Sequence, residues 1–211
     1  VALEKFLQAE KIFPDARVYN DIGIAYLHVG DMEKAFYYLQ KASDKAPDNL
    51  YYLLNLAVAY DMAKRYGLAL ELYDKILKIK PDWEVALLNK AYTLSNIKKI
   101  NEAISIYKEI LSRDPDNVYA LSSLGGLKAR LGKFDEALDI FRKIVAKGNY
   151  PEVYLAMGAI YDLKHQPDKA GLYYSEAIRE APDFSLAYFL YGDLKIREGD
   201  IKEGVRYLQK S

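Results

Sequence analysis

Asn55 and Asn89 each interrupt a helix-like apolar run, YYLLNLAVAY and EVALLNKAYT, and they stand 34 residues apart. An amide carries both a donor and an acceptor, so a file of them can pair with the backbone of an extended chain without reading its side chains. One interval to either side, Asp21 and Ser123 keep the file polar. The other reactive residue types offer less. The chain has no cysteine, which removes disulfides, thiolate metal sites and cysteine nucleophiles. His28 and His165 are about four such intervals apart, too far to share a metal in an elongated stack. Gly132 and Lys133 look like the end of a phosphate loop, but Leu127 stands where the first Gly is required and Phe134 where Ser or Thr is required. No nucleophile, base and orienting group form a constellation, so an enzyme is the least expected class and no cofactor is implied.

The elements that carry the amides belong to a chain of 211 residues, 51% of them hydrophobic, which is ample material for a core. Thirty basic residues balance thirty acidic ones, so no net field draws the chain to nucleic acid or an anionic membrane, and no nucleic-acid partner is expected. No apolar run approaches the roughly 18 residues of a membrane span. Residues 1 to 15 show no signal-peptide pattern. The expected protein is soluble, with cytoplasm and periplasm both open to it.

A period organises the whole sequence. Pro-Asp recurs at Pro14, Pro47, Pro81, Pro115 and Pro182, with intervals of 33, 34, 34 and 67 residues. A fixed period of this size means stacked supersecondary units. Aligned on it, one small-residue column runs Gly23, Ala57, Ala91, Gly125, Gly158 and Gly192. A second runs Ala2, Ala35, Ala69, Ala103, Ala137, Ala170 and Gly204, and four residues after each member comes a large one: Phe6, Leu39, Tyr73, Tyr107, Phe141, Tyr174 and Leu208. That spacing is helical. Within 16–49, ARVYNDIGIAYLHV predicts one helix ended by Gly30, and Asp31 caps a second, MEKAFYYLQKASDKA, which Pro47 cannot continue. Asp48 or Asn49 can cap the next helix. Lys64 and Lys98 take the place of Gly30, and residues 118–150 run one residue short.

These columns resemble the tetratricopeptide repeat family, whose 34-residue helix pairs place small residues at two crossing points, an aromatic after the second, and a terminal Pro. The resemblance implies an all-α fold: a right-handed α-solenoid of antiparallel helix pairs forming a single array over 1–211. Full repeats are expected at 16–49, 50–83, 84–117, 118–150 and 151–184. A lone second helix at 1–13, within a partial repeat spanning 1–15, precedes them, and a partial repeat at 185–211 follows. Because that first helix lacks its partner, the chain is expected to be a segment of a longer array. The pentatricopeptide family, which binds RNA, has a slightly longer period and calls for a basic groove; neither matches.

The resemblance also implies a concave wall made by the first helix of each repeat. Asn20, Asn55 and Asn89 fall on it as candidate peptide ligands. Members that grip a C-terminal carboxylate use Lys, Arg and Asn from successive first helices; Asn20, Ile24 and Val85 occupy such places here, so that clamp is incomplete. In LSSLGGLKAR, Ser122, Ser123, Gly126 and Ala129 share the inner wall. Bounded by Tyr92 and Tyr119, with Arg130 at the margin, they make either a pocket floor for an apolar side chain or a surface that tolerates tight curvature. Arg17 and Arg197 are dispersed among Asp61, Glu152, Asp162 and Asp193 and define no charge rule. The framework tyrosines and Trp83 read as packing residues.

The expected function is a non-enzymatic interaction module or adaptor that binds an extended peptide or a helix in its groove. A self-associating scaffold using open array ends, and an accessory array of a larger enzyme or secretion-machine subunit, are the alternatives.

Overall fold

The computed structural model describes residues 2–211; Val1, the first residue of the expected 1–13 helix, lies outside them. The described residues form thirteen α-helices and no strand, as the all-α expectation requires. In chain order, α1 (Ala2–Ile12), α2 (Ala16–Val29), α3 (Met32–Lys45), α4 (Leu50–Met62), α5 (Tyr66–Ile79) and α6 (Glu84–Asn96) lead into α7 (Ile100–Arg113). Then follow α8 (Val118–Arg130), α9 (Phe134–Val145), α10 (Pro151–Leu163), α11 (Pro167–Glu180), α12 (Ser185–Arg197) and α13 (Ile201–Leu208). Two compact units divide the chain, residues 1–110 and 111–211.

The helix limits follow from local chemistry. Asp15, Asp31, Asn49, Asn117 and Asp200 each accept a backbone N–H from the first turn they precede, satisfying donors that the helix cannot. Of the two residues able to cap α4, Asn49 does so. At the other end, α2 stops at Gly30, whose φ of 80° is left-handed. The same conformation recurs one period apart at Lys64 (φ 58°), Lys98 (φ 65°), Gly132 (φ 73°), His165 (φ 54°) and Gly199 (φ 93°). His165 is therefore a helix terminator, a position its histidine chemistry had disguised.

Packing explains the small columns. A Cβ on Gly23 would come within 2.6 Å of Leu39 Cγ, one on Gly125 within 2.6 Å of Phe141 Cε1, and one on Gly158 within 2.6 Å of Tyr174 Cδ1. The first small column thus makes room for the large residue of the partner helix, and Ala35, Ala69, Ala103, Ala137 and Ala170 are wholly buried. In the first unit Leu53, Ala57, Tyr73, Ile76 and Ala86 join one apolar cluster. In the second, Ala137, Phe141, Met157, Tyr174 and Leu194 belong to a larger one. Burying the large aliphatic and aromatic members of these clusters contributes about 1.5–3 kcal/mol each, which is where such helices get their stability.

The shortened stretch is also located. α9 has 12 residues where α3, α5 and α11 have 14, and the connection after it, 146–150, replaces the shorter ones at 46–49, 80–83 and 181–184. Trp83 packs edge-to-face on Tyr51 with ring centroids 5.2 Å apart, as a packing residue should.

Candidate functional site

The amide file is bonded internally. Asn55 Nδ2 donates to Asn20 Oδ1 at 2.8 Å, joining α4 to α2, and Asn20 in turn donates to Asp21 Oδ1 at 3.3 Å. Asn20, expected on the peptide-facing wall, is only 7% exposed and sits in this interhelical pair. Asn89 Nδ2 donates to the Val85 carbonyl at 2.8 Å, a bond back to its own helix. Beside the exposed Glu84 and Asn96 of α6, the two helices leave large apolar side chains in solvent: Tyr51 is 67% exposed, Tyr92 58% and Met62 57%.

Close to these side chains, α6 and α5 build a polar cluster around Asp61, at the end of α4. Tyr73 Oη donates to Asp61 Oδ2 at 2.7 Å, and Thr93 Oγ1 lies 2.7 and 2.9 Å from the two carboxylate oxygens. Burial pushes the Asp61 carboxyl above its ordinary range, opposed by the bonds from Tyr73 and Thr93. Burial, reinforced by its bond to Asp61, drives the Tyr73 phenol far upward, so it stays a donor. The cluster opens into a pocket of about 320 Å³ lined by Val58, Asp61, Met62, Tyr66, Asn89 and Tyr92, with Lys64 and Asn96 at its remaining wall.

In the second unit, Tyr119 is 76% exposed on α8 and Arg130 is exposed, while Ser122, Ser123, Gly126 and Ala129 are half-buried. Tyr92 and Tyr119 belong to different compact units. A Cβ on Gly126 would meet nothing within 4 Å, so close helix packing is not what this glycine serves; Gly125 beside it has that role. Arg197, read as dispersed, is instead anchored. Its guanidinium donates to Asp162 through Nη1 at 2.9 Å and Nη2 at 2.6 Å, and Nε donates to Asp193 at 2.9 Å. Sequence reasoning passed over the Asp61 cluster although its signal was present: Asp61 and Asp162 hold the same place in the period, each 12 residues before a column tyrosine.

Among the described residues no group of three or more His, Asp or Glu could hold a metal, and no helix is long and apolar enough to cross a membrane. No curated protein matches the chain significantly. Among solved structures, MamA shares 26% identity with a TM-score of 0.62, covering 74% of this chain and 91% of its own. PilF of Pseudomonas aeruginosa shares 24% identity with a TM-score of 0.74, covering 91% and 88%. YrrB, described as a tetratricopeptide repeat protein with an unusual peptide-binding site, shares 21% with a TM-score of 0.60, covering 88% and 97%. Tetratricopeptide repeat models match residues 14–82 and 98–160. With glycine-cleared helix crossings, left-handed helix ends one period apart and these matches, the chain belongs to the tetratricopeptide repeat family.

Proposed function

We propose that the chain is a non-enzymatic interaction module that holds an extended peptide or a partner helix against the exposed face of its first-of-pair helices. The observation that carries this reading is the run of large apolar side chains left in solvent on α4 and α6, namely Tyr51, Met62, Val85 and Tyr92. Scattered exposed apolar residues are ordinary, but a set on neighbouring helices whose opposite faces carry buried core residues supports a docking surface. α8 continues the theme in the second unit, where Tyr119, Ser122, Ser123, Gly126 and Arg130 recur at helical spacing. The peptide-binding site described for YrrB, a protein of the same fold, supports the ligand class.

The test is a peptide-display selection on the intact chain, followed by affinity measurement on Tyr51→Ala and Tyr92→Ala. Both rings are exposed, so the variants should fold. An aromatic anchor at an interface costs about 2 kcal/mol or more on truncation. Selected peptides that bind both variants as tightly as the parent would overturn the proposal.

A self-association reading draws on α13, where Ile201 and Val205 are exposed one turn apart. Sedimentation of the parent and of the Ile201→Asp/Val205→Asp variant decides it: a concentration-dependent mass that the variant loses supports assembly, and an unvarying monomer dismisses it.

A further inference from the structure

Asp61 and Asp162 occupy the same place in the period, yet their carboxylates are satisfied differently. Asp162 receives both terminal nitrogens of Arg197, the residue 35 positions later. The residue 35 positions after Asp61 is Asn96, which is exposed and lines the pocket at the Asp61 carboxylate. Neutral hydroxyls of Tyr73 and Thr93 are the donors Asp61 has instead, and among the described residues no lysine or arginine forms an ion pair with it. Where the second unit supplies a guanidinium from its own chain, the first unit has a cavity.

We propose that this pocket is a subsite for the guanidinium of an arginine side chain carried by the bound partner segment. The inference rests on the peptide-docking reading above and names one of its specificity elements. A planar guanidinium pairs with a carboxylate through two parallel bonds, the geometry that Arg197 and Asp162 display in this same chain. Val58 and Met62 offer apolar wall for the methylene stem, and Tyr66 and Tyr92 bring aromatic rings that favour a cation. The side-chain amides of Asn89 and Asn96 supply acceptors for the nitrogens that the carboxylate does not reach. Lys64 is the cation among the lining residues; it is exposed, so its ammonium keeps its solvent while the carboxylate is half-buried.

The experiment titrates the isotope-labelled protein with N-acetyl-arginine amide, and with the citrulline and lysine derivatives as a neutral isostere and a point-charge control. Saturable shifts at the Asn89 and Asn96 side-chain amides are expected for arginine, and much weaker ones for the other two. Asp61→Asn keeps both hydroxyl bonds to an acceptor oxygen and should fold, yet weaken arginine binding by about tenfold or more, as loss of a charge-assisted pair implies. Asn96→Arg should place a guanidinium in the pocket from within the chain and abolish binding of the free derivative while preserving the fold. Equal shifts from citrulline or lysine, or arginine binding unaltered in folded Asp61→Asn, would overturn the subsite. Peptides from the display selection separate the two readings. If they depend on Tyr51 and Tyr92 but are indifferent to Asp61→Asn, docking stands and the arginine subsite falls. If no peptide is selected while arginine amide still titrates the asparagines, docking falls and the guanidinium site remains.

Discussion

Thr93 Oγ1 lies between the two carboxylate oxygens of Asp61 at 2.7 and 2.9 Å, and it also approaches the Asn89 carbonyl at 2.9 Å. Thr93 is fully buried, so Thr93→Val keeps the shape and removes one of the two hydroxyl donors to the carboxylate, leaving Tyr73. Losing a hydrogen bond to a charged group should cost about 1.5–3 kcal/mol in urea unfolding.

The same carboxylate gives stability a pH dependence of known sign. Its folded pKa is raised above 3.8, first by burial, so its contribution is most favourable below the unfolded value and declines as pH rises through the raised one. Asp61→Asn removes that decline. Relative to the parent, the variant should gain stability over the range from just below the ordinary carboxylate value up through the raised one. Urea unfolding at the two ends of that range checks it, and a constant difference would exclude the linkage.

The two candidate asparagines should respond differently to truncation. Asn55→Ala leaves the Asn20 carbonyl without its interhelical donor in a site that water barely reaches, and should destabilise by about 1–3 kcal/mol. Replacing both with leucine should recover much of the loss, since no polar group is then stranded. Asn89→Ala, whose amide bonds back to its own helix, should stay within about 0.5 kcal/mol of the parent. Thermal melts of the four proteins, parent included, measure these differences.

Adjacent glycines make an equally sharp pair. Gly126→Ala enters open space in the middle of α8 and should stabilise by about 1 kcal/mol through helix propensity alone. Gly125→Ala drives a methyl to within 2.6 Å of Phe141 Cε1 and should cost about 1–3 kcal/mol by overpacking.

The left-handed helix ends predict engineered gains. Lys64, Lys98 and His165 hold a conformation that costs a residue with a Cβ about 1–2 kcal/mol, partly offset by the greater chain entropy of glycine when unfolded. Each change to Gly should therefore raise stability by up to about 1 kcal/mol. Gly30→Ala should lower it by a similar amount.

Helices, caps and crossing glycines were legible in the sequence because each depends on neighbours a few residues away or on one residue repeated at a fixed interval. Gly30, Asp31 and the Gly125 column are of this kind. The bonding of the amides was not legible, for the opposite reason. Whether Asn20 and Asn55 face a ligand or each other depends on how α2 and α4 lie side by side, and periodicity assigns both to a face without saying which side chain reaches across. The Asp61 cluster was missed because three residue types, Asp, Tyr and Thr, from three helices form it. No single column of the repeat contains them all.

The distance from crossing residue to left-handed residue never varies: Gly23 to Gly30, Ala57 to Lys64, Gly125 to Gly132 and Gly158 to His165 all keep one spacing, while the missing residue is taken up at the end of α9 and in 146–150. The chain therefore keeps links of fixed length and confines differences in length to the couplings between them. Insertions and deletions can accumulate in the couplings without changing any link, so such a protein can lengthen, shorten or exchange links while the residues that make each one need no revision.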